Sequence, residues 1–182
     1  KKYFKNGKAW HDHGHENNPK YPRWADTRKS SGFNFRMNEL QGAIGLAQLK
    51  KLNFIVRSQR KNYYSIWKKI KNIKGIEERS YSSKCFISAD ALIVLVKSKK
   101  VALKCRKYLL RNNISTKILP EAYTWHFAGR WSHMSQFKKN NIKKTLKKSE
   151  ELLKRAVSIP IFVKMNSGKI LKIKKSLQKA LT

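Results

Sequence analysis

Residues Gly32 to Leu49 read G-F-N-F-R-M-N-E-L-Q-G-A-I-G-L-A-Q-L and join a loop to a helix. Gly32 to Arg36 is the loop, with a glycine for backbone freedom and Asn34 and Arg36 as hydrogen-bond donors. From Met37 onward Met37, Leu40, Ile44 and Ala47 recur at helical spacing, and Asn38 stands where an N-terminal cap belongs. Gly42 and Gly45 fall inside that helix, each at a cost of about 1 kcal/mol relative to alanine. The expected reason is another backbone packed close against them. An amide and a guanidinium at the start of such a helix suit an anion, either phosphate or carboxylate. The plainer reading, a cap and a surface cation, stands level with it on the residues alone.

A chain of 182 residues can bury a real core, as one domain or as one domain plus part of another. It begins at Lys1 within a polar, charged stretch, which reads as a piece of a longer polypeptide. It contains no run of about 18 apolar residues and no N-terminal signal pattern. Cys85 and Cys105 lack C-x-x-C spacing and read as reduced, partly buried thiols of a cytosolic protein.

The formal charge of +33 invites a nucleic-acid reading. Its make-up argues against one: 33 lysines stand against 10 arginines, and arginine is the residue suited to bidentate base and phosphate contacts. The lysines are spread along the chain, and 13 asparagines and 15 isoleucines fit the codon bias of an AT-rich genome. Compositional drift is therefore favoured over a specific nucleic-acid or membrane surface, with weak polyanion binding at low salt.

Outward from the opening stretch, Lys1 to Ser31 is polar and irregular. Met37 to Lys71 is helical, either as two helices or as one bent near Leu52 and Asn53, and ends at Gly75. Ala91 to Lys97 is a buried strand and Lys99 to Asn112 an amphipathic helix that Asn113 can end. Ser115 to Leu119 is a second strand, Thr145 to Val157 a helix with Leu146, Leu153 and Val157 in line, and Ser158 to Val163 a strand interrupted by Pro160, which marks an edge or a strand end. Asn166 or Ser167 caps a last helix carrying Ile170, Ile173, Leu177 and Leu181. The alternation predicts a small α/β domain behind the long helices.

Two further motifs bear on chemistry. H-D-H-G-H-E, from His11 to Glu16, has histidines at a spacing that could hold a metal, but no second ligand cluster accompanies it. A polar loop near a substrate is the favoured reading. L-P-E-A-Y-T-W-H-F-A-G-R-W, from Leu119 to Trp131, sets His126 among Tyr123, Trp125, Phe127 and Trp131. A packed structural histidine is the commoner outcome; the functional one is a ligand wall with His126 as its polar contact. No Ser-His-Asp set, catalytic carboxylate pair or phosphate-binding P-loop can be assembled.

The Gly32–Leu49 stretch closely resembles the GxNxRM-E-Q-A-GL-QL signature of the DegT/DnrJ/EryC1/StrS aminotransferases. Asp12-His13-Gly14-His15 lies where members carry an R-x-H-G-like loop. K-S-E-E-L-L-K-R-A-V-S-I-P-I, Lys148 to Ile161, resembles the family's S-E-L-R-A-S-I-P segment. Together H-D-H-G-H-E-N-N-P and T-W-H-F-A-G-R-W look most like the branch that aminates the sugar acid 3-deoxy-octulosonate at C8. The resemblance implies the C-terminal part of a type I pyridoxal-phosphate fold. Residues 1–52 would close the large cofactor domain with its phosphate-contact loop, and residues 53–182 would form a long helix and the small α/β domain. It implies a cytoplasmic homodimer that moves an amino group, with glutamate as donor, to a keto or aldehyde sugar for cell-surface polysaccharide or lipopolysaccharide synthesis. Asn34 would reach the cofactor phosphate of the neighbouring subunit, Arg36 would lie near the cofactor or an anionic substrate group, and His126, Trp125 and His13 would line the sugar site.

The family's Schiff-base lysine and the G-E-G-G stretch after it have no equivalent here. No catalytic residue is therefore expected within these residues, and the chain alone is expected to be inactive, as a truncated C-terminal half or a decayed remnant. The rivals are a basic protein that binds nucleic acid or membrane surfaces and a non-catalytic scaffold that dimerises without cofactor.

Overall fold

A computed structural model of the protein describes residues 1–28, 30–121, 123, 127–131 and 145–182, which fall into two compact units, Lys1–Lys51 and Leu52–Thr182. Its content of helices around one small sheet is that of the predicted α/β class.

In the first unit, helix α1 spans Lys2–His11, a short 3₁₀ turn follows at Arg23–Ala25, and helix α2 spans Glu39–Leu49. The α1 helix corrects the expectation of an irregular start. Its sequence hid it because Asn6 and Gly7 interrupt the pattern and Ala9 is its single buried residue. Helix α2 starts as its sequence predicts. Asn38 Oδ1 accepts the Gln41 N–H at 2.8 Å, and Gln41 Oε1 accepts the Asn38 N–H at 3.0 Å, a reciprocal capping box. The expected backbone against Gly42 and Gly45 is not found among the described residues. A Cβ on Gly42 would meet only Met37 Sδ at 3.9 Å, and one on Gly45 would meet nothing within 4 Å. The apolar stripe of α2 is open as well: Leu40 is 70% exposed and Ile44 55%.

The second unit is a three-stranded antiparallel sheet covered on one face by three helices. Helix α3, Leu52–Ile70, leads to strand β1, Glu77–Glu78, and strand β2, Ala91–Leu95. Helix α4, Lys99–Arg111, follows, then helix α5, Lys147–Lys154, strand β3, Ala156–Pro160, and helix α6, Ser167–Leu181. The strand order is β1-β2-β3, with Leu92 opposite Ile159 and Val94 opposite Val157. These side chains pack with Ile66 and Ile70 of α3, Cys105 and Leu109 of α4, and Ile173 and Leu177 of α6 in one buried cluster. Helix α6 packs against both α4 and α3. Gln59 Nε2 donates to the Ile161 carbonyl at 3.1 Å and Asn62 Nδ2 to that of Phe162 at 2.8 Å, which ties α3 to the segment leaving β3. Asn166 caps α6 by accepting the Lys169 N–H at 2.8 Å.

Three expectations need correction here. Ser115 to Leu119 is not a strand: beyond Asn113, which has φ of 58°, only the Lys117 N–H reaches β3, at the Ser158 carbonyl. The helix expected to run to Val157 ends at Lys154, because Val157 joins the ladder opposite Val94. The last strand accordingly begins at Ala156 and ends at Pro160, an edge position that tolerates the missing N–H. A smaller cluster of Leu119, Tyr123 and Phe127 packs with Leu146 and Leu153. Trp125 and His126 lie outside the described residues.

The cysteines divide rather than sharing a half-buried state. Cys85 is exposed and Cys105 is buried, where desolvation pushes its thiol up to about 11. A thiol reagent at neutral pH should modify Cys85 within the folded chain and reach Cys105 only on unfolding, as mass spectrometry along a denaturant series can follow. Truncating Leu177, fully buried between the helices and the sheet, to alanine should cost roughly 2–5 kcal/mol in urea unfolding.

Candidate functional site

The loop between α1 and α2 is held by a close crossing of two backbones. Gly14, at φ of 83°, adopts a conformation that favours glycine, and a Cβ there would sit 2.0 Å from the Ser30 carbonyl oxygen. A Cβ on Gly32 would lie 2.5 Å from the Gly14 nitrogen and 2.8 Å from the Trp10 carbonyl oxygen. Gly32 therefore serves close approach rather than the conformational freedom expected of it. Around the crossing, Phe33 N donates to Trp10 O at 2.9 Å, His13 N to Phe33 O at 3.1 Å and Phe35 N to His11 O at 3.0 Å. These bonds lay residues 33–35 alongside residues 10–13 and bring Asn34 opposite Asp12.

Asp12 is the electrostatic centre of the loop. Its carboxylate, 5% exposed, accepts at both oxygens from Arg23 Nη2, each at 2.6 Å, and lies 3.3 Å from Arg36 Nε. The Arg23 hydrogen bond, with the charges of Arg23 and Arg36, holds the Asp12 carboxyl below its ordinary value of 3.8. Asp26 is held low as well, chiefly by accepting the backbone N–H of Asn18 at 3.1 Å and that of Asn17 at 2.8 Å. His15 Nδ1 lies 3.4 Å from Asp26 Oδ2. Glu16 accepts from the Thr27 hydroxyl, and its N–H donates to the Thr27 carbonyl at 3.0 Å.

Asn34 and Arg36 come together as the sequence predicts. Asn34 Oδ1 accepts from Arg36 Nε at 3.1 Å and from the Arg36 N–H at 3.3 Å. The amide oxygen is thereby engaged, which leaves the two N–H donors of Asn34 and the outer nitrogens of Arg36 facing solvent from exposed side chains. This donor set suits a phosphate, and Asp12 balances part of the arginine charge without supplying an acceptor at the outer face. His13 is exposed in the same loop, at φ of 54°, with its N–H tied to Phe33. The metal candidates are committed elsewhere: Asp12 to Arg23, and His15 beside Asp26.

A feature that sequence reasoning missed lies beside the loop. A cavity of about 600 Å³ is lined by Lys5, Asn6, Ala9, Trp10, Glu16, Asn17, Asn18, Pro19 and Ser30. Neither Asn34 nor Arg36 lines it. Helix α1 forms one wall, and a start that reads as irregular gives no sign of it.

The DegT/DnrJ/EryC1/StrS aminotransferase family matches residues 3–178, and the chain belongs to that family. Its members depend on pyridoxal phosphate. Among solved structures, the chain resembles the sugar aminotransferase CalS13 from Micromonospora echinospora at 17% identity and a TM-score of 0.68, over 94% of this chain and 43% of that one. It resembles Helicobacter pylori PseC, an aminotransferase involved in the biosynthesis of pseudoaminic acid, at 21% identity and a TM-score of 0.69, over 96% of this chain and 44% of that one. The aminotransferase TlmJ from Streptoalloteichus hindustanus matches at 14% identity and a TM-score of 0.72, over 96% of this chain and 43% of that one. These likenesses establish the type I aminotransferase fold. The chain spans less than half the length of each of these enzymes.

Acid should loosen the loop in a defined window. The folded Asp12 carboxyl ionises below its ordinary value, so its contribution is complete above about pH 4 and is lost as the pH falls through the lowered folded value. Amide exchange over residues 12–36, corrected for its intrinsic pH dependence, should accelerate in that range. In Asp12→Asn it should already be fast at neutral pH.

Proposed function

We propose that the chain works as part of a pyridoxal-phosphate-dependent transaminase that transfers an amino group from glutamate to a keto or aldehyde sugar. Membership of the family supports the reaction class, and the observation that carries the site is the Asn34–Arg36 pair, with its amide oxygen engaged and its donors turned outward. When bound, pyridoxal phosphate supplies the electron sink that stabilises the carbanion formed as the amino group moves. In this reading the reactive lysine belongs to a part of the enzyme that these residues do not cover.

The chain's own residues bind and orient. Asn34 donates its amide N–H groups to the cofactor phosphate, and Arg36 adds a charge-assisted bond while holding the amide in register. Both act across a homodimer, on the cofactor of the neighbouring subunit. Asp12 keeps Arg36 from turning away when the phosphate is absent. His13, with Trp125 and His126, faces the sugar. Within this reading the product feeds cell-surface polysaccharide or lipopolysaccharide synthesis in the cytoplasm, and the preferred acceptor is 3-deoxy-octulosonate already oxidised to the aldehyde at C8, the carbon that is aminated.

In the intact enzyme, Asn34→Ala should weaken cofactor retention by roughly tenfold to a hundredfold, the range for one hydrogen bond to a charged group. Equilibrium dialysis against free cofactor reads this directly. Mixing Asn34→Ala subunits with subunits that lack the reactive lysine tests the crossing of the interface. If Asn34 serves its neighbour, each mixed dimer pairs one doubly defective site with one intact site and activity returns. Mixed dimers no more active than either parent would rule out the shared site.

A further inference from the structure

We infer that the helical layer of the Leu52–Thr182 unit is a docking surface for an anionic lipid bilayer. Helices α3, α4 and α6 together hold sixteen lysines and arginines and not one aspartate or glutamate. All ten acidic residues lie elsewhere in the chain. Among the described residues, the one ion pair on these helices joins Arg106 to Glu121. The dispersal of lysines seen along the sequence is therefore not dispersal in space.

Helical spacing sorts the cations onto the side away from the sheet. On α4, Lys100, Lys104, Lys107 and Arg111 recur at intervals of four, three and four, opposite the buried Cys105 and Leu109. On α6, Lys172, Lys175 and Lys179 stand opposite Ile173 and Leu177. On α3, Arg57, Lys61 and Lys68 stand opposite Ile66 and Ile70. All of these cations are exposed. Apart from Arg111, which lies 6.0 Å from the Tyr108 ring, their side chains have no ion pair or ring contact among the described residues. Like charges three and four residues apart repel along each helix, so an anionic surface laid across the stripes relieves a strain that no intramolecular carboxylate relieves.

The occupant follows from what stands between the cations. Exposed apolar or aromatic side chains stand among the cations: Phe54 beside Arg57, Tyr64 beside Lys61 and Lys68, Leu110 beside Lys107 and Arg111, and Leu171 beside Lys172 and Lys175. Between α3 and α6 a groove of about 260 Å³ is floored by Ile170 and Leu171 and rimmed by Lys69 and Lys174. Lysines at headgroup level around shallow leucines and an interfacial tyrosine match a bilayer surface. RNA recognition draws instead on arginine and on aromatic platforms for stacked bases, and this layer holds twelve lysines to four arginines, with Phe54 and Tyr64 as its large exposed rings. No helix among the described residues is long and apolar enough to cross a membrane, so the contact is peripheral.

The test is vesicle flotation of the intact protein at near-physiological salt. The expected result is binding to phosphatidylcholine vesicles containing phosphatidylglycerol and none to phosphatidylcholine alone. Reversing Lys104, Lys107, Lys172 and Lys175 to glutamate should lower partitioning roughly a hundredfold or more. Reversing Lys2, Lys8, Lys50 and Lys84, with the same change in net charge, should leave it within a few fold. A glutamine set at the four face positions, checked by circular dichroism, guards against misfolding and should lose most of the binding as well. Equal losses from the face and control sets would overturn the proposal, since net charge alone would then account for binding. So would failure to float with anionic vesicles, or tighter binding to an RNA homopolymer than to the vesicles.

Discussion

Everything the α1–α2 loop presents depends on two backbones passing at a separation that only glycine permits. At the crossing of Gly14 and Gly32, an added methyl would lie 2.5 Å from a main-chain nitrogen, with no flexible side chain to give way. That approach lets residues 33–35 hydrogen-bond to residues 10–13, which sets Asn34 opposite Asp12 and brings Arg36 within reach of its carboxylate. Ionic and hydrogen-bonding groups in this loop are arranged by a steric fact of the main chain. The polar side chains then refine what the glycines allow.

The second unit is stabilised by a different balance. The three helices packed on its sheet, α3, α4 and α6, carry no acidic residue, so their cohesion owes almost nothing to ion pairs and rests on the buried faces around Ile66, Leu109 and Leu177. Amphipathic burial at about 25 cal/mol per Å² of apolar surface outweighs repulsion between exposed lysines, which solvent and salt screen. Caps at Ser98 and Asn166 supply the start signals that acidic first turns would otherwise reinforce.

Much of this was legible in the residues, where one local rule governed the outcome. Asn38 announced its helix because a capping box needs only four consecutive residues. Helix α4 announced itself because Cys105 and Leu109 recur at the right interval. The rest turned on partners distant in sequence. Val157 looks like the end of a helix until Val94 is set beside it, and Ser115 to Leu119 looks like a strand though only Lys117 finds a sheet edge to bond. Gly32 reads as a point of freedom rather than of crowding, since crowding depends on Gly14 and on α1, whose Asn6 and Gly7 make the start of the chain look irregular. The acid-free layer was present in the composition throughout. It became visible only when three separated segments were placed side by side.

The double claim on Asp12 has a consequence for how Arg36 moves. A buried carboxylate with a single cationic partner resists losing it, because the bare charge would be stranded in a poorly solvated place. Asp12 keeps both oxygens on Arg23 whatever Arg36 does. Arg36 is thus a second cation on Asp12, held also by Asn34, whose departure would leave the carboxylate compensated by Arg23. The carboxylate therefore has one permanent anchor and one replaceable partner, and under the proposed function Arg36 can engage a phosphate without disturbing the fold that holds it.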